Sequence, residues 1–282
     1  MVAFAKGQGT GNDFVLIVDP DGELAPTAEQ VAALCDRRFG VGADGLILAT
    51  RTAAMPEAER ALGGGAEWFM DYRNADGSVA EMCGNGIRVF ARLLEQEGLA
   101  DVRELVVGTR AGIKHVRAVD DGFSADLGVV RLEDGEPLVR VDGLPVARPG
   151  QRVDVGNPHV VVAIADDAEL AALDLHAAPE VEPATPGGVN VELVVPQGIA
   201  DDEGRIRMRV HERGSGETLS CGTGAVAAAF ATRHWAGGAP DRWRVEVPGG
   251  VVRVDVEQRP DGEHAWLTGP AAIVFRGATD LV

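Results

Sequence analysis

The strongest constraint on this chain is a four-residue motif that it carries twice. Cys83-Gly84-Asn85-Gly86 and Cys221-Gly222-Thr223-Gly224 stand 138 residues apart. Each opens an apolar run with helical spacing, and each follows a strand-like run and a turn. The segments ahead of the two cysteines correspond as well. Arg73-Asn74-Ala75-Asp76-Gly77-Ser78 precedes the first, and His211-Glu212-Arg213-Gly214-Ser215-Gly216 the second. Further upstream, Gly11-Asn12-Asp13-Phe14 has a counterpart in Gly156-Asn157-Pro158-His159. A turn does not require cysteine, so turn chemistry does not explain the match. The chain reads as two copies of one unit, which divides its 282 residues into two domains of ordinary size.

Strands outnumber helices in both copies. Phe14–Val18, Leu46–Leu48, Trp68–Arg73, Val160–Ile164 and Val191–Val195 suit strands. Trp243–Val247 and Val251–Val256 flank Pro248-Gly249-Gly250, a hairpin signal. Thr27, with Gln30 three residues on, makes a capping box ahead of Val31 and Leu34. Cys35 falls on the face of that helix and reads as core. Gly86–Glu97 and Gly224–Trp235 read as buried helices. Met55–Gly65, with Pro56 and a glycine triplet, reads as a mobile excursion, and Ala177–Gly188 as a loop. The Asp166-Asp167 pair reads as a solvated helix start. This pattern is mixed α/β and argues against a doubly wound dinucleotide fold.

Composition narrows the partners. Twenty-six basic residues face 44 acidic ones, for a net charge of −18. Such a surface repels nucleic acid and anionic membrane alike. No apolar run approaches the length of about 20 residues that spans a bilayer. No signal peptide is visible at Met1–Lys6, and three cysteines without a CxxC pair give neither a disulfide framework nor a zinc site. A reduced cytoplasmic setting is the expectation, with no metal.

The chemistry follows from the helix starts. A helix N-terminus presents unpaired N–H groups and partial positive charge, and glycines let a ligand approach them. The site suits a carboxylate, and a cysteine there has its thiolate favoured. Two such starts can serve one amino acid. One thiolate removes the Cα proton, and the other thiol delivers a proton to the opposite face, without a cofactor. A thiol ionises near pH 8.5, and the Cα–H is far less acidic. A helix end supplies only about 0.3–2 kcal/mol, so most of the stabilisation must come from donors on the carboxylate in a dry, closed site.

The residues resemble the diaminopimelate epimerase family over nearly the whole chain. The resemblance rests on Gly9-Thr10-Gly11-Asn12-Asp13-Phe14, Asn74-Ala75-Asp76-Gly77-Ser78, Met82-Cys83-Gly84-Asn85-Gly86 and Gly156-Asn157-Pro158-His159. It rests above all on Glu212-Arg213-Gly214-Ser215-Gly216-Glu217-Thr218 leading to Cys221-Gly222-Thr223-Gly224-Ala225. It implies epimerisation of LL-2,6-diaminopimelate to the meso form, without cofactor, in lysine and peptidoglycan precursor synthesis. It implies two pseudo-symmetric domains, each a curved mixed sheet wrapped around a central helix. The last strand would return to the first domain, giving 1–127 plus 268–282 around Cys83 and 128–267 around Cys221. Cys83 and Cys221 match the acid/base pair. The backbone of Gly84, Asn85, Gly222 and Thr223 would hold the reacting carboxylate, and Asn12 and Glu212 the reacting ammonium. Asn74, Asn157, Asn190 and Arg213 would bind the distal amino-acid end, and His159 would support a catalytic thiol. A homodimer is implied too. Gly45 stands where some members carry Gln, so no contact is assigned there. Two other readings remain at this stage: a proline racemase-like enzyme with the same thiol pair, and a non-catalytic amino-acid-binding module.

Overall fold

The computed structural model describes residues 1–281; Val282, which the expected first domain includes, lies outside the described residues. The chain forms two compact units. One is Met1–Asp126 together with the chain's end from Gly269, and the other is Leu127–Thr268.

The first unit contains β1 (Val2–Gly9), β2 (Asn12–Val18), α1 (Ala28–Cys35), β3 (Gly45–Arg51), α2 (Glu57–Gly63), β4 (Trp68–Asn74), α3 (Gly84–Gln96), β5 (Leu105–Thr109), β6 (Gly112–Val119) and most of β7 (Gly122–Val129). Along the sheet, β1–β2 is antiparallel, β2–β3 parallel, β3–β4 antiparallel, β4–β5 parallel, and β5–β6–β7 antiparallel. The second unit contains β8 (Arg131–Leu132), β9 (Leu138–Arg140), β10 (Arg148–Asp154), β11 (Pro158–Ala163), α4 (Asp167–Ala172), β12 (Glu180–Glu182), β13 (Asn190–Ala200), β14 (Glu203–Glu212), β15 (Gly216–Thr218), α5 (Gly222–Trp235), β16 (Arg242–Val247), β17 (Gly250–Arg259) and β18 (Gly262–Gly269). Its sheet repeats the same alternation over β10, β11, β13, β14, β16, β17 and β18. Registers agree as well: Phe14 pairs with Gly45 in the first unit, and His159 with Asn190 in the second. The last strand, β19 (Ala272–Thr279), adds to β1 of the first unit.

Each parallel step needs a crossover, and a helix supplies it. The long crossover helices, α3 and α5, pack on the strands of their own units. In α3, Ile87, Val89, Phe90, Ala91, Leu93 and Leu94 are buried. In α5 the run Ala225–Thr232 is buried throughout, and its five alanines let strands approach on every side. Among the described residues no helix is long and apolar enough to cross a membrane.

The capping box at Thr27 is present, with both reciprocal bonds, and Cys35 packs beside Val31 and Leu34. Burial, by far the largest influence, pushes the Cys35 thiol up to about 11, which leaves it an inert core residue. Asp166 caps α4. Two segments differ from expectation. Met55–Gly65 holds α2: Pro56 sits at the N-cap, where its missing N–H costs nothing, and Glu57 and Glu59 occupy the first turn. Ala177–Gly188 is not wholly loop, because β12 pairs there with β9. β1 and β10 lack an alternating signal, since glycines, Lys6 and Pro149 interrupt them.

Gly45 has a structural reason of its own. A Cβ there would lie 2.5 Å from the Arg73 carbonyl oxygen and 2.7 Å from the Tyr72 ring. The Tyr72 ring takes the space a longer side chain would need. Gly45→Ala is expected to lose about 1–3 kcal/mol by overpacking, read as a lower midpoint in a urea melt; an unchanged midpoint would mean the β3–β4 pair has slack that these distances exclude.

Candidate active site

The first unit builds a cluster of polar groups at the start of α3. Cys83 is the N-cap: it is extended, and its sulfur accepts from the Gly86 N–H at 3.4 Å. The helix thus begins at Gly84, two residues earlier than its apolar spacing suggests, which puts the thiol on the helix terminus itself. The thiol faces the Asn12 Oδ1 at 3.6 Å, and Asn85 donates to the same oxygen at 3.3 Å. The orientation of Asn12 is set from behind, where its Nδ2 donates to Asp44 at 2.7 Å. Asp44 also accepts from the Asp13 N–H at 3.1 Å and from Arg37 at 2.7 Å. Lys6 closes the network, pairing with Asp13 at 2.7 Å and donating to the Gly42 carbonyl. Burial alone would raise the Asp13 carboxyl, but Arg37 and Lys6 together outweigh it and hold the group down at about 2. Below the helix start lies Arg88, fully buried. Its guanidinium donates to the Gly84 carbonyl at 2.8 Å and to Asn85 Oδ1 at 2.9 Å. Asn74, in this unit, donates to Ser78 within its own turn at 3.0 Å.

The second unit builds the counterpart at the start of α5. Cys221 is again the N-cap, and its sulfur accepts from the Gly224 N–H at 3.3 Å. Thr223 Oγ1 lies 3.5 Å from the sulfur, and Asn157 donates to that hydroxyl at 3.5 Å. Behind Asn157 stands His159, fully buried, with Nε2 3.1 Å from Asn157 Oδ1 and Nδ1 2.8 Å from Glu192. Glu212 accepts from Thr218 and is hydrogen-bonded to Cys221. Burial, more than those two bonds oppose, pushes its carboxyl up. Burial, then the carboxylates of Glu212 and Glu192, push the Cys221 thiol well up. Asn190 accepts from the Arg213 N–H at 2.8 Å and donates to the Pro158 carbonyl at 3.5 Å. The Arg213 side chain is exposed, donates to the Gly187 carbonyl at 3.4 Å, and has no carboxylate partner among the described residues.

Residues 4–133 and 152–274 match the family model for diaminopimelate epimerase. The chain belongs to the diaminopimelate epimerase family. It is 50% identical to a diaminopimelate epimerase of Thermobifida fusca, over 99% of this chain and 98% of that protein. It is 49% identical to one of Streptomyces coelicolor, over 99% and 96%. Among solved structures its fold resembles a Bacillus anthracis phenazine biosynthesis protein of the PhzF family, with TM-score 0.74 at 15% identity, covering 98% of both chains. It also resembles a hydroxyproline epimerase from Agrobacterium vitis, with TM-score 0.66 at 13% identity over 98% and 91%.

Within this family framework, the first unit gathers Asn12, Cys83, Gly84 and Asn85 around one helix start. The second gathers Asn157, His159, Asn190, Glu212, Arg213, Cys221, Gly222 and Thr223 around the other. Asn74 is the last residue of β4, and its side chain donates to Ser78 in the turn that follows, not to the Cys83 cluster. Sequence reading missed Asp44, Arg88 and Glu192. Glu192 left one signal, as the lone acid inside the apolar strand Asn190-Val191-Glu192-Leu193-Val194. Arg88 left a similar one on a buried helix.

The Asp13 network makes a testable contribution to stability. A carboxyl held at about 2 in the fold, against 3.8 ordinarily, stabilises by about 2 kcal/mol above roughly pH 4. That contribution disappears as pH falls through about 2. Arg37 is more than half exposed, so Arg37→Ala should cost only about 1 kcal/mol at pH 7. The difference from wild type should shrink toward zero in denaturant melts taken at successively lower pH. A gap that persists unchanged at pH 2 would mean Arg37 acts by packing.

Proposed function

We propose that this chain epimerises LL-2,6-diaminopimelate to the meso form, with Cys83 and Cys221 as the two proton carriers and no cofactor. One observation carries the reading: each duplicated unit ends a strand-and-turn in a cysteine that caps its own buried helix. The N-cap sulfur engages the third N–H of the helix, at Gly86 or Gly224. A substrate carboxylate is then met by the backbone of Gly84 and Asn85 or of Gly222 and Thr223, at a terminus that favours an anion. These donors stabilise the carboxylate as it becomes enolate-like during loss of the Cα proton. The thiolate on one side takes that proton, and the thiol on the other gives its own to the opposite face. Asn12 and Glu212 serve the α-ammonium: each offers an oxygen beside a thiol. His159 supports Cys221 through Asn157 and Thr223.

Substrate choice rests on the distal end. Arg213, unpaired and anchored by its backbone to Asn190, can bind a second carboxylate in a two-point fork. Asn157, Asn190 and Asn74 accompany it. A small cyclic amino acid such as proline would leave that guanidinium without a partner, so the proline racemase-like reading is the weaker one. A homodimer fits the exposed apolar residues Val274 and Phe275 on β19. Three free cysteines fit a reducing cytoplasm.

Cys83→Ala and Cys221→Ala are each expected to abolish epimerisation, by more than about 100-fold, because each face needs its own carrier. Chiral analysis of the product and uptake of deuterium at Cα from heavy water check this. Near-normal turnover in either variant would rule out the two-thiol mechanism. Arg213→Lys keeps the charge but not the fork. It should raise KM for diaminopimelate by about tenfold or more with a smaller change in kcat; wild-type kinetics would remove Arg213 from the distal site.

A further inference from the structure

The two helix starts are copies in their backbone and unlike in the side chains beneath them. Beneath Gly86 the neighbours are apolar: a Cβ there would meet Ile47 at 3.2 Å and Phe14 at 3.5 Å. Beneath Gly224 the same positions of the repeat hold Glu192 and His159, with Glu192 Oε1 only 2.6 Å from the equivalent point. Glu192 is fully buried, and its Oε2 has no hydrogen-bond partner among the described residues. Glu212, beside Cys221, corresponds to neutral Asn74 in the first copy. The cation is distributed the other way. Arg88 is fully buried behind the Cys83 helix start, and its counterpart in the second copy is Val226.

Every group that Arg88 touches is neutral: the Gly84 carbonyl, Asn85 Oδ1 and the Thr10 hydroxyl at 3.4 Å. Its Nε has no partner, and no carboxylate pairs with it among the described residues. A buried guanidinium without a counter-ion is strongly unfavourable. Among the ionisable groups around it, the charge of Cys83 acts on Arg88 and favours the cation. Burial pulls the guanidinium down to about 10, which still leaves it a cation at neutral pH.

We infer that Arg88 is a positioning residue that fixes the resting charge of the pair: in the free protein Cys83 is the thiolate and Cys221 holds the proton. The inference rests on the two-thiol reading. Proton transfer from Cα to Cys83, and from Cys221 to the opposite face of Cα, leaves a Cys83 thiol and a Cys221 thiolate. Arg88 disfavours the first of these and Glu212 and Glu192 the second. Each such turnover is therefore followed by a reset, in which Cys83 loses a proton to solvent and Cys221 gains one.

Alkylation by iodoacetamide at neutral pH, followed cysteine by cysteine by peptide mass, tests this without any substrate. In wild type, Cys83 should react ahead of Cys221, and Cys35 should stay unmodified. In Arg88→Gln, which keeps polar contacts but not the charge, the Cys83 thiolate should fall about tenfold for each unit its ionisation moves. About threefold returns in intrinsic nucleophilicity, so Cys83 should label about threefold more slowly. Cys221 should change by less than about twofold, Arg88→Lys should restore most of the Cys83 rate, and circular dichroism should match wild type. In Arg88→Gln, kcat for diaminopimelate should fall in step with Cys83 labelling while KM stays within about twofold. A wild type in which Cys221 labels first would overturn the inference, as would an Arg88→Gln with unchanged Cys83 labelling. Should Arg88→Gln fail to fold, the wild-type order and Arg88→Lys still decide. A wild type with the expected labelling that fails to epimerise diaminopimelate would instead sink the proposed function and leave the charge assignment standing.

Discussion

Everything at either helix start depends on a sulfur atom in the N-cap position. Caps are usually oxygen, from Ser, Thr, Asp or Asn, because a side-chain oxygen satisfies one orphan N–H. Here sulfur does so, at 3.4 Å in one unit and 3.3 Å in the other. A cap of this kind locks the thiol onto the axis of a helix whose terminus favours negative charge. The second glycine of each motif follows from the same geometry. A Cβ at Gly224 would lie 3.2 Å from the Cys221 sulfur, and one at Gly86 would lie 3.2 Å from the Cys83 Cβ. Glycine is needed there for close packing; neither residue has positive φ.

The sheet supplies the rigidity that this cap requires. Both long helices run between strands joined by parallel crossovers, so each start is fixed by the end of a buried strand and by a short turn. β2 and β11 bring Asn12 and Asn157 to their helix starts from the same place in the register. The first unit then holds Asn12 with a charged network of Lys6, Asp13, Arg37 and Asp44. The second holds Asn157 with a buried imidazole and carboxylate. An amide has an accepting and a donating end, and only its neighbours decide which end faces the thiol. In the first unit Asp44 takes the donating end, so the carbonyl of Asn12 is presented to Cys83.

These supports explain what could and could not be seen in the amino-acid sequence. The duplication, the two buried helices and the thiols were legible because Cys-Gly-x-Gly is rare, local and repeated. Family membership followed from contiguous motifs. Arg88, Glu192 and Asp44 act across the fold. Arg88 reads as one more charged residue of a helix, and Glu192 as a flaw in a strand, until the register brings them against the helix starts. α2 was hidden because Pro56 and the glycines resemble a loop, although proline at the N-cap and glycine after the last turn also frame a helix. β1 and β10 carry no period-two pattern, because pairing on both edges holds them rather than one apolar face.

Duplication gives two equivalent helix starts, but an amino acid with a distal charged end is not symmetric. The second unit holds the exposed guanidinium of Arg213, which has no carboxylate partner among the described residues, and Asn190 accepts from its backbone N–H. It also holds the acids, Glu212 and Glu192, beside the thiol. The first unit sets a buried cation and neutral amides against its thiol and keeps its acids, Asp13 and Asp44, behind Asn12 in pairs with Lys6 and Arg37. Such divergence reaches the side chains that face the helix starts. The strand order, crossovers and register, which a one-residue slip would ruin, remain the same in both copies. The fold thus tolerates a change of charge at Arg88 and Val226, or at Ile47 and Glu192, without a change of backbone. What differs is the charge beneath the two thiols, a buried cation under one and buried acids beside the other.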